Sequence, residues 1–332
     1  TGEFVYEKRA DERLPMASTT KIMTALVVAE RLPLNKRIVI PSAAVGIEGS
    51  SVYLCEGEIL SVKELLLALL LESANDAAVA LAIATAGSVD AFCELMNEKA
   101  RTLGLCDTNF TNPHGLYDED HYTTAQDLAF ISAAALKNEA LREIFATKKT
   151  TVPCKVTSDD PDGDGVRYIK NHNKMLSLYE GAIGVKTGFT RATGRCLVSA
   201  AERDGMTLIA VTLNAPDDWR DHAAMLDYGF ASYERVTLYE AGEFCYGYAV
   251  SGGSAETVTA TNSEPLVLTL PKGHADLCES VCFPQRFELA PISKGDELGQ
   301  LTVSCGEASA SSPLIASESV ERAKRSKFEL FT

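Results

Sequence analysis

Two apolar runs, residues 65–71 and 77–86, stand either side of Glu72-Ser73-Ala74-Asn75-Asp76. A helix apolar on nearly every face has no side to offer to water, so both runs belong inside a core. The chain has 332 residues, 46% of them hydrophobic, which is enough for a sizeable core and suggests about two domains. Ser61-Val62-Lys63-Glu64 is a capping box that opens the first helix. The polar break puts Ser73 and Asn75 on a bend between two buried helices, and polar groups on a rigidly supported loop are a usual way to build a site. The same residues also read simply as caps of the second helix.

A second polar cluster opens another buried helix. Ser18 sits where a helix should begin, and Lys21 lies one turn on, so its amine comes beside the Ser18 hydroxyl. Ile22, Leu26 and Ala29 recur at helical spacing and bury that helix, which runs to about Arg31. A serine hydroxyl is a poor nucleophile until a base takes its proton. A lysine can be that base only when neutral near pH 7, and burial or a second cation pushes its pKa that way. The plainer alternative is an N-cap serine followed by a surface lysine.

The chain otherwise reads as follows. Residues 2–8 alternate like a short strand, and residues 33–60 give small strands and turns. Residues 88–103 form a helix stopped by Gly104. Asn112-Pro113-His114-Gly115-Leu116 is a tight turn in which His114 is structural. Helices follow over 124–137 and 139–146. Strands over 181–189, 195–202 and 206–214 with short turns imply an antiparallel sheet, on which a helix over 217–233 packs. Beyond about residue 235, short strands punctuated by Pro and Gly predict a separate small β-domain over 236–318. Residues 318–332 read as a charged helix with an apolar side beginning at Phe328, Leu330 and Phe331.

A net charge of −15 argues against nucleic acid, which needs a basic face. No stretch is apolar and long enough to span a bilayer. The chain begins at Thr1 without a signal peptide, as a trimmed or mature secreted protein does. Its nine cysteines are odd in number and scattered, and most read as small buried apolar residues. His274, Cys278 and Cys282 lack the paired CxxC of a zinc site. Asp160-Pro161-Asp162-Gly163-Asp164-Gly165 starts like a calcium loop, but Asn171 stands where the bidentate Glu belongs, so a hairpin turn is the better reading.

Three motifs thus stand in order: Ser18-Thr19-Thr20-Lys21, Ser73-Ala74-Asn75 and Lys186-Thr187-Gly188. The trio is that of penicillin-binding proteins and class A β-lactamases. With residues 17–25, 73–78, 112–116 and 184–188, the chain resembles the D-alanyl-D-alanine carboxypeptidases, the low-molecular-mass penicillin-binding proteins that trim peptidoglycan. Leu270-Pro271-Lys272-Gly273 and Pro313-Leu314-Ile315-Ala316 are similar to that family's C-terminal β-domain.

The resemblance implies an α/β fold, the β-lactamase/transpeptidase-like sandwich of an antiparallel sheet flanked by helices with a helical subdomain. A second, small all-β domain follows it. The expected division is 1–235 for the peptidase, 236–318 for the β-domain, and 319–332 for the start of a C-terminal helix leading to a membrane anchor. The resemblance also implies the roles. Ser18 attacks the D-Ala-D-Ala carbonyl and carries the acyl group, and Lys21 is the base. Ser73 relays a proton to the leaving D-alanine, tuned by Lys186, and Asn75 holds the substrate amide. The Lys186–Gly188 strand pairs with the substrate backbone. The backbone N–H groups of Ser18 and Phe189 form the oxyanion hole, each such donor being worth about 10²–10³ in rate. Thr187 and Arg220 take the terminal carboxylate.

No metal or cofactor is expected. The expected partners are stem peptides ending in D-Ala-D-Ala and β-lactams as inhibitors, and the expected location is outside the cytoplasmic membrane, held to it by a C-terminal segment. The sequence departs from the family pattern at His172, where Arg is frequent, and at Thr193-Gly194-Arg195. One alternative is a β-lactamase, which needs a deacylating Glu that residues 107–120 do not present in a Glu-x-x-Leu-Asn pattern. The other is a catalytically idle wall-binding protein on the same fold.

Overall fold

The computed structural model describes residues 3–154, 165–284 and 287–324. The chain forms two compact units. One comprises residues 4–203 and 207–229; the other is built from residue 230 onward, joined by residue 3 and residues 204–206.

In the first unit a 3-10 turn, Ala17–Thr20, runs directly into helix α1 (Lys21–Arg31). Strands β1 (Arg37–Val39) and β2 (Ile59–Ser61) pair antiparallel, with Ile38 opposite Leu60. Helix α2 (Val62–Leu71) starts at the expected capping box: Glu64 N donates to Ser61 Oγ at 3.2 Å, and Ser61 N donates to Glu64 Oε2 at 2.6 Å. Helix α3 (Asn75–Ala86) ends at Gly87, whose φ of +83° is the left-handed conformation that glycine adopts freely. Helix α4 (Val89–Thr102) is capped by Ser88, and α5 (Ala125–Leu136) by Thr124. Helix α6 (Glu139–Ala146) leads to the antiparallel pair β3 (Lys149–Cys154) and β4 (Gly165–Lys170), followed by the single turn α7 (Met175–Leu178).

Strands β5 (Ala182–Thr190), β6 (Gly194–Arg203) and β7 (Met206–Thr212) form a sheet in that order. In β6, residues 196–201 are all buried because both faces are covered. Val198 and Ala200 enter the apolar cluster that α1, α2 and α3 also build. On the other face Ser199 Oγ lies 2.8 Å from His222 Nδ1 of helix α8 (Asp218–Ser232). Both apolar runs are core, as their composition requires: Leu65, Leu66, Leu69, Leu70 and Leu71 are at most 1% exposed. Each such side chain contributes about 2–3 kcal/mol of burial as an upper bound.

The second unit contains strands β8 (Tyr233–Tyr239), β9 (Cys245–Ser251), β10 (Thr257–Asn262), β11 (Leu266–Pro271), β12 (Glu279–Pro284), β13 (Glu288–Leu289), β14 (Glu297–Cys305) and β15 (Ala308–Ala316). β8 pairs with β11, and the other six form one sheet in the order β12-β14-β15-β10-β9-β13. In β11 the alternation Leu266, Leu268, Leu270 points inward, giving this unit its own core with Leu301, Val303 and Leu314.

Several expectations fail. Residues 3–8 form no strand. Residues 318–324 are not helical: Val320 pairs with Ile292 and Arg322 with Gly253, because a backbone running beside the β-unit finds its partners there. The rest of that expected helix, 325–332, lies outside the described residues, as does most of the 160–165 turn; β3 and β4 on its flanks are in hairpin register, Cys154 opposite Gly165. The cysteines are mostly not buried. Only Cys93 and Cys196 are, while Cys55, Cys106 and Cys245 are exposed. His274 offers Cys278 and Cys305 its backbone carbonyl, at 4.0 and 3.6 Å from their sulfurs, rather than a ring nitrogen for a metal. Among the described residues, no single helix is long and apolar enough to cross a membrane.

Candidate active site

Ser18 lies in the 3-10 turn, one residue after Ala17, whose φ is +47°. A non-glycine residue in that region is held there by its surroundings. What holds it is the 112–116 turn. Gly115 (φ +89°) comes so close that a Cβ on it would lie 1.8 Å from the Ala17 carbonyl oxygen, and that oxygen also accepts from Thr20 Oγ1 at 2.8 Å. On the other side β5 passes close by, with a Cβ on Gly188 falling 3.0 Å from Ser18 N. Two glycines therefore let two segments close on the serine turn. Gly115→Ala is expected to cost about 3 kcal/mol or more, because the clash is with backbone and the conformation is left-handed. Thermal unfolding measures it, and a midpoint within a degree of the parent's refutes the constraint.

Lys21 begins α1 and is completely buried. Its Nζ lies 2.9 Å from Ser18 Oγ, 2.7 Å from Asn75 Oδ1 and 2.6 Å from the His114 carbonyl oxygen. Burial pushes its pKa well below the usual lysine value, and the charge on Lys186 pushes the same way; Asp76 opposes them. The partners show what a neutral amine does here. Asn75 Oδ1 and the His114 carbonyl can only accept, so they take the two N–H bonds. The lone pair then faces Ser18 Oγ, which has a proton to give. That is the arrangement of a general base on a nucleophile.

Asn75 and Ser73 come from the polar break between α2 and α3. Asn75 is 4% exposed and fixed at three points: Nδ2 donates to Glu48 O at 2.6 Å, N donates to Ser50 O at 2.7 Å, and Oδ1 meets Lys21. Ser73 is 5% exposed with φ +63°, and its hydroxyl makes no hydrogen bond among the described residues. Asp76 is not the cap of α3, whose N-cap is Ala74 with no side-chain cap bond. Its carboxylate accepts from Ser51 Oγ at 2.6 Å, Leu54 N at 3.0 Å, Val52 N at 3.3 Å and Ala77 N at 2.9 Å, tying down the segment that carries Glu48 and Ser50.

Lys186, in β5, is 1% exposed and donates to the Thr187 carbonyl at 2.9 Å. Burial lowers its pKa to about 7, against the opposing charge of Glu72. Glu72 Oε2 lies 3.1 Å from His172 Nε2, so the histidine found where the family often has Arg faces this carboxylate. Thr187 is half-buried, Gly188 buried and Phe189 exposed on the same strand. Arg220 stands apart: its side chain is 83% exposed, its ion pair is with Asp217 at 3.3 Å, and no described contact links it to Ser18 or Lys21.

The structure thus brings Ser18, Lys21 and Asn75 into direct contact, and Lys186 acts on Lys21 through its charge. Sequence reasoning gave His114 a merely structural part. Its ring fits that, with burial, then the Lys21 charge, lowering its pKa to about 3, and with Nδ1 accepting from Leu116 N at 3.2 Å. Its carbonyl, however, is the third partner of Lys21. No side-chain pattern reports a carbonyl, so only the fold reveals it. The roles of Gly115 and Asp76 are likewise set by tertiary contacts.

A helix-initiating serine with a dry lysine beneath it, flanked by a lysine-bearing edge strand, defines a serine acyl-transfer enzyme of the penicillin-interacting class. The chain belongs to the D-alanyl-D-alanine carboxypeptidase family, whose profile matches residues 1–217; the profile of the penicillin-binding protein 5 C-terminal domain matches residues 233–322. It is 34% identical over 334 residues to the D-alanyl-D-alanine carboxypeptidase DacF of Bacillus subtilis, covering 97% of this chain and 84% of that one. It is 37% identical over 246 residues to the D-alanyl-D-alanine carboxypeptidase of Streptomyces sp. strain K15, covering 70% of this chain and 84% of that one. Among solved structures it is similar to penicillin-binding protein 5 of Haemophilus influenzae, with a TM-score of 0.73, 28% identity, and 96% and 94% of the two chains covered.

Proposed function

We propose that this protein removes the terminal D-alanine from peptidoglycan stem peptides ending in D-Ala-D-Ala, through an acyl-enzyme on Ser18, and that β-lactams acylate the same hydroxyl. The observation that carries this reading is the buried Lys21 amine, 2.9 Å from Ser18 Oγ with its two N–H bonds taken by acceptors. Ser18 Oγ forms a bond to the penultimate residue's carbonyl carbon as its proton passes to Lys21. The N–H groups of Ser18 and Phe189 receive the oxyanion. The C–N bond then breaks, and the leaving amine takes a proton by way of Ser73, whose hydroxyl has no competing partner. Water hydrolyses the ester. Asn75 and the Lys186–Gly188 strand hold the peptide, and Thr187 binds its carboxylate.

Arg220 supplies the distant cation for that carboxylate, since an exposed pair with Asp217 contributes little and is readily exchanged. Arg220→Ala is expected to raise KM for D-Ala-D-Ala peptides about tenfold or more while slowing penicillin acylation far less. Equal losses on both substrates would exclude the role.

A pentapeptide digest followed by mass spectrometry tests the activity: one D-alanine is lost, and no more. A β-lactamase would instead shed a penicillin label within seconds. Against that alternative, the acids of the 107–120 segment make no described contact with Ser18 or Lys21, and Asp107 is held by Arg13 at 2.5 Å. We infer that the enzyme acts outside the cytoplasmic membrane, a placement that follows from where its substrate lies.

A further inference from the structure

A cavity of about 950 Å³ lies apart from the residues assigned to the serine site. It is an open groove formed by the start of β3, the end of β4 and α7, and it includes none of the residues assigned to catalysis. Four lysines line it, Lys148, Lys149, Lys170 and Lys174, and no Asp or Glu does. In a chain of net charge −15 that is a local reversal of sign. All four are exposed, and none makes an ion pair or side-chain hydrogen bond among the described residues. Lys149 and Lys170 are register partners across the two strands, so their side chains leave the same face side by side. Like charges directly opposite in a strand pair repel, and an anion between them removes the repulsion.

Asn173 also lines the groove. It is 3% exposed; its Oδ1 accepts from Met175 N at 3.0 Å, which fixes the amide orientation, and its Nδ2 has no partner. At the rim, Tyr168 and Leu178 are 83% and 68% exposed, giving two apolar surfaces beside the charges.

The geometry points to this groove as a binding site for a phosphodiester-linked polyol chain, its phosphates on the four lysines and its carbon backbone against Tyr168 and Leu178. The cations are all ammonium groups, which act on phosphate as point charges. A concave groove admits a slender chain, whereas a flat bilayer would meet only its rim. One exposed aromatic is too few to make the successive stacking platforms that single-stranded nucleic acid uses.

Titration calorimetry of the full chain with a synthetic glycerol-phosphate hexamer tests the site. Saturable one-to-one binding is expected at 50 mM salt, weakening by ~10–50-fold at 200 mM if up to four phosphates are engaged. Asn173→Asp keeps the oxygen that accepts from Met175 N and adds a negative charge beside the lysines, so it should weaken binding by ~10-fold; Lys149→Gln with Lys170→Gln should do at least as much. Fluorescent-penicillin labelling at the parent rate shows that these variants are folded, and makes the test independent of the catalytic reading. The proposal is overturned by absence of saturable binding, by variants that bind as the parent does, or by equal affinity for a thymidylate hexamer. Binding to anionic phospholipid vesicles without binding to the soluble hexamer also overturns it.

Discussion

Ser18→Ala abolishes labelling by a fluorescent penicillin and lowers D-alanine release by about 10⁶-fold, to background. Removal of the nucleophile leaves no covalent route, and the remaining groups cannot substitute for it. The fold survives, because among the described residues the hydroxyl hydrogen-bonds only with Lys21, and the turn is held by Gly115, Thr20 and β5. Labelling by mass shift and the thermal midpoint are measured on the same sample. A variant that still acquires the penicillin mass removes Ser18 from the mechanism.

Lys21→Arg separates charge from basicity. A guanidinium stays protonated, so it can still donate to Asn75 and His114 but cannot take a proton from Ser18. Acylation is expected to fall by about 10²–10⁴-fold, the range for a general base. In the parent enzyme the sign of the pH dependence follows from the same residue. Its pKa is depressed, so lowering the pH through that value protonates the amine and acylation falls; raising the pH restores it. Lys186, with a pKa near 7, contributes a charge that depresses the Lys21 value, so its own deprotonation relaxes that effect above neutrality. Pre-steady-state acylation by penicillin, followed downward from pH 9 until the rate falls, should show an acid limb in the parent and none in Lys21→Arg. A parent rate that rises as the pH is lowered refutes the neutral-lysine reading.

Much of this was legible in the sequence because helical spacing carries side-chain proximity. Lys21 stands three positions after Ser18, and the two side chains meet at 2.9 Å. Two all-apolar runs could only be core, and α2 and α3 are. The alternation in β5 and the punctuation after residue 235 announced a sheet and a β-unit. Other features were not legible because they belong to backbone atoms or long-range contacts. The His114 carbonyl, the approach of Gly115 to Ala17 and the grip of Asp76 on residues 51–54 leave no periodic trace. Ser18 lies within a 3-10 turn and not in the α-helix itself, a difference that spacing by three cannot register. Residues 318–324 misled because a charged segment with helical composition takes its conformation from the strands beside it.

The pocket around Lys21 has a consequence for the direction in which protons travel. Its walls are oxygen atoms from a side-chain amide, a main-chain carbonyl and the serine itself. An amine that has just been protonated finds there a lodging for all three hydrogens, and no solvent to carry one off. Return of that hydrogen to the departing alanine therefore depends on a courier, the part proposed above for Ser73, whose hydroxyl makes no hydrogen bond among the described residues.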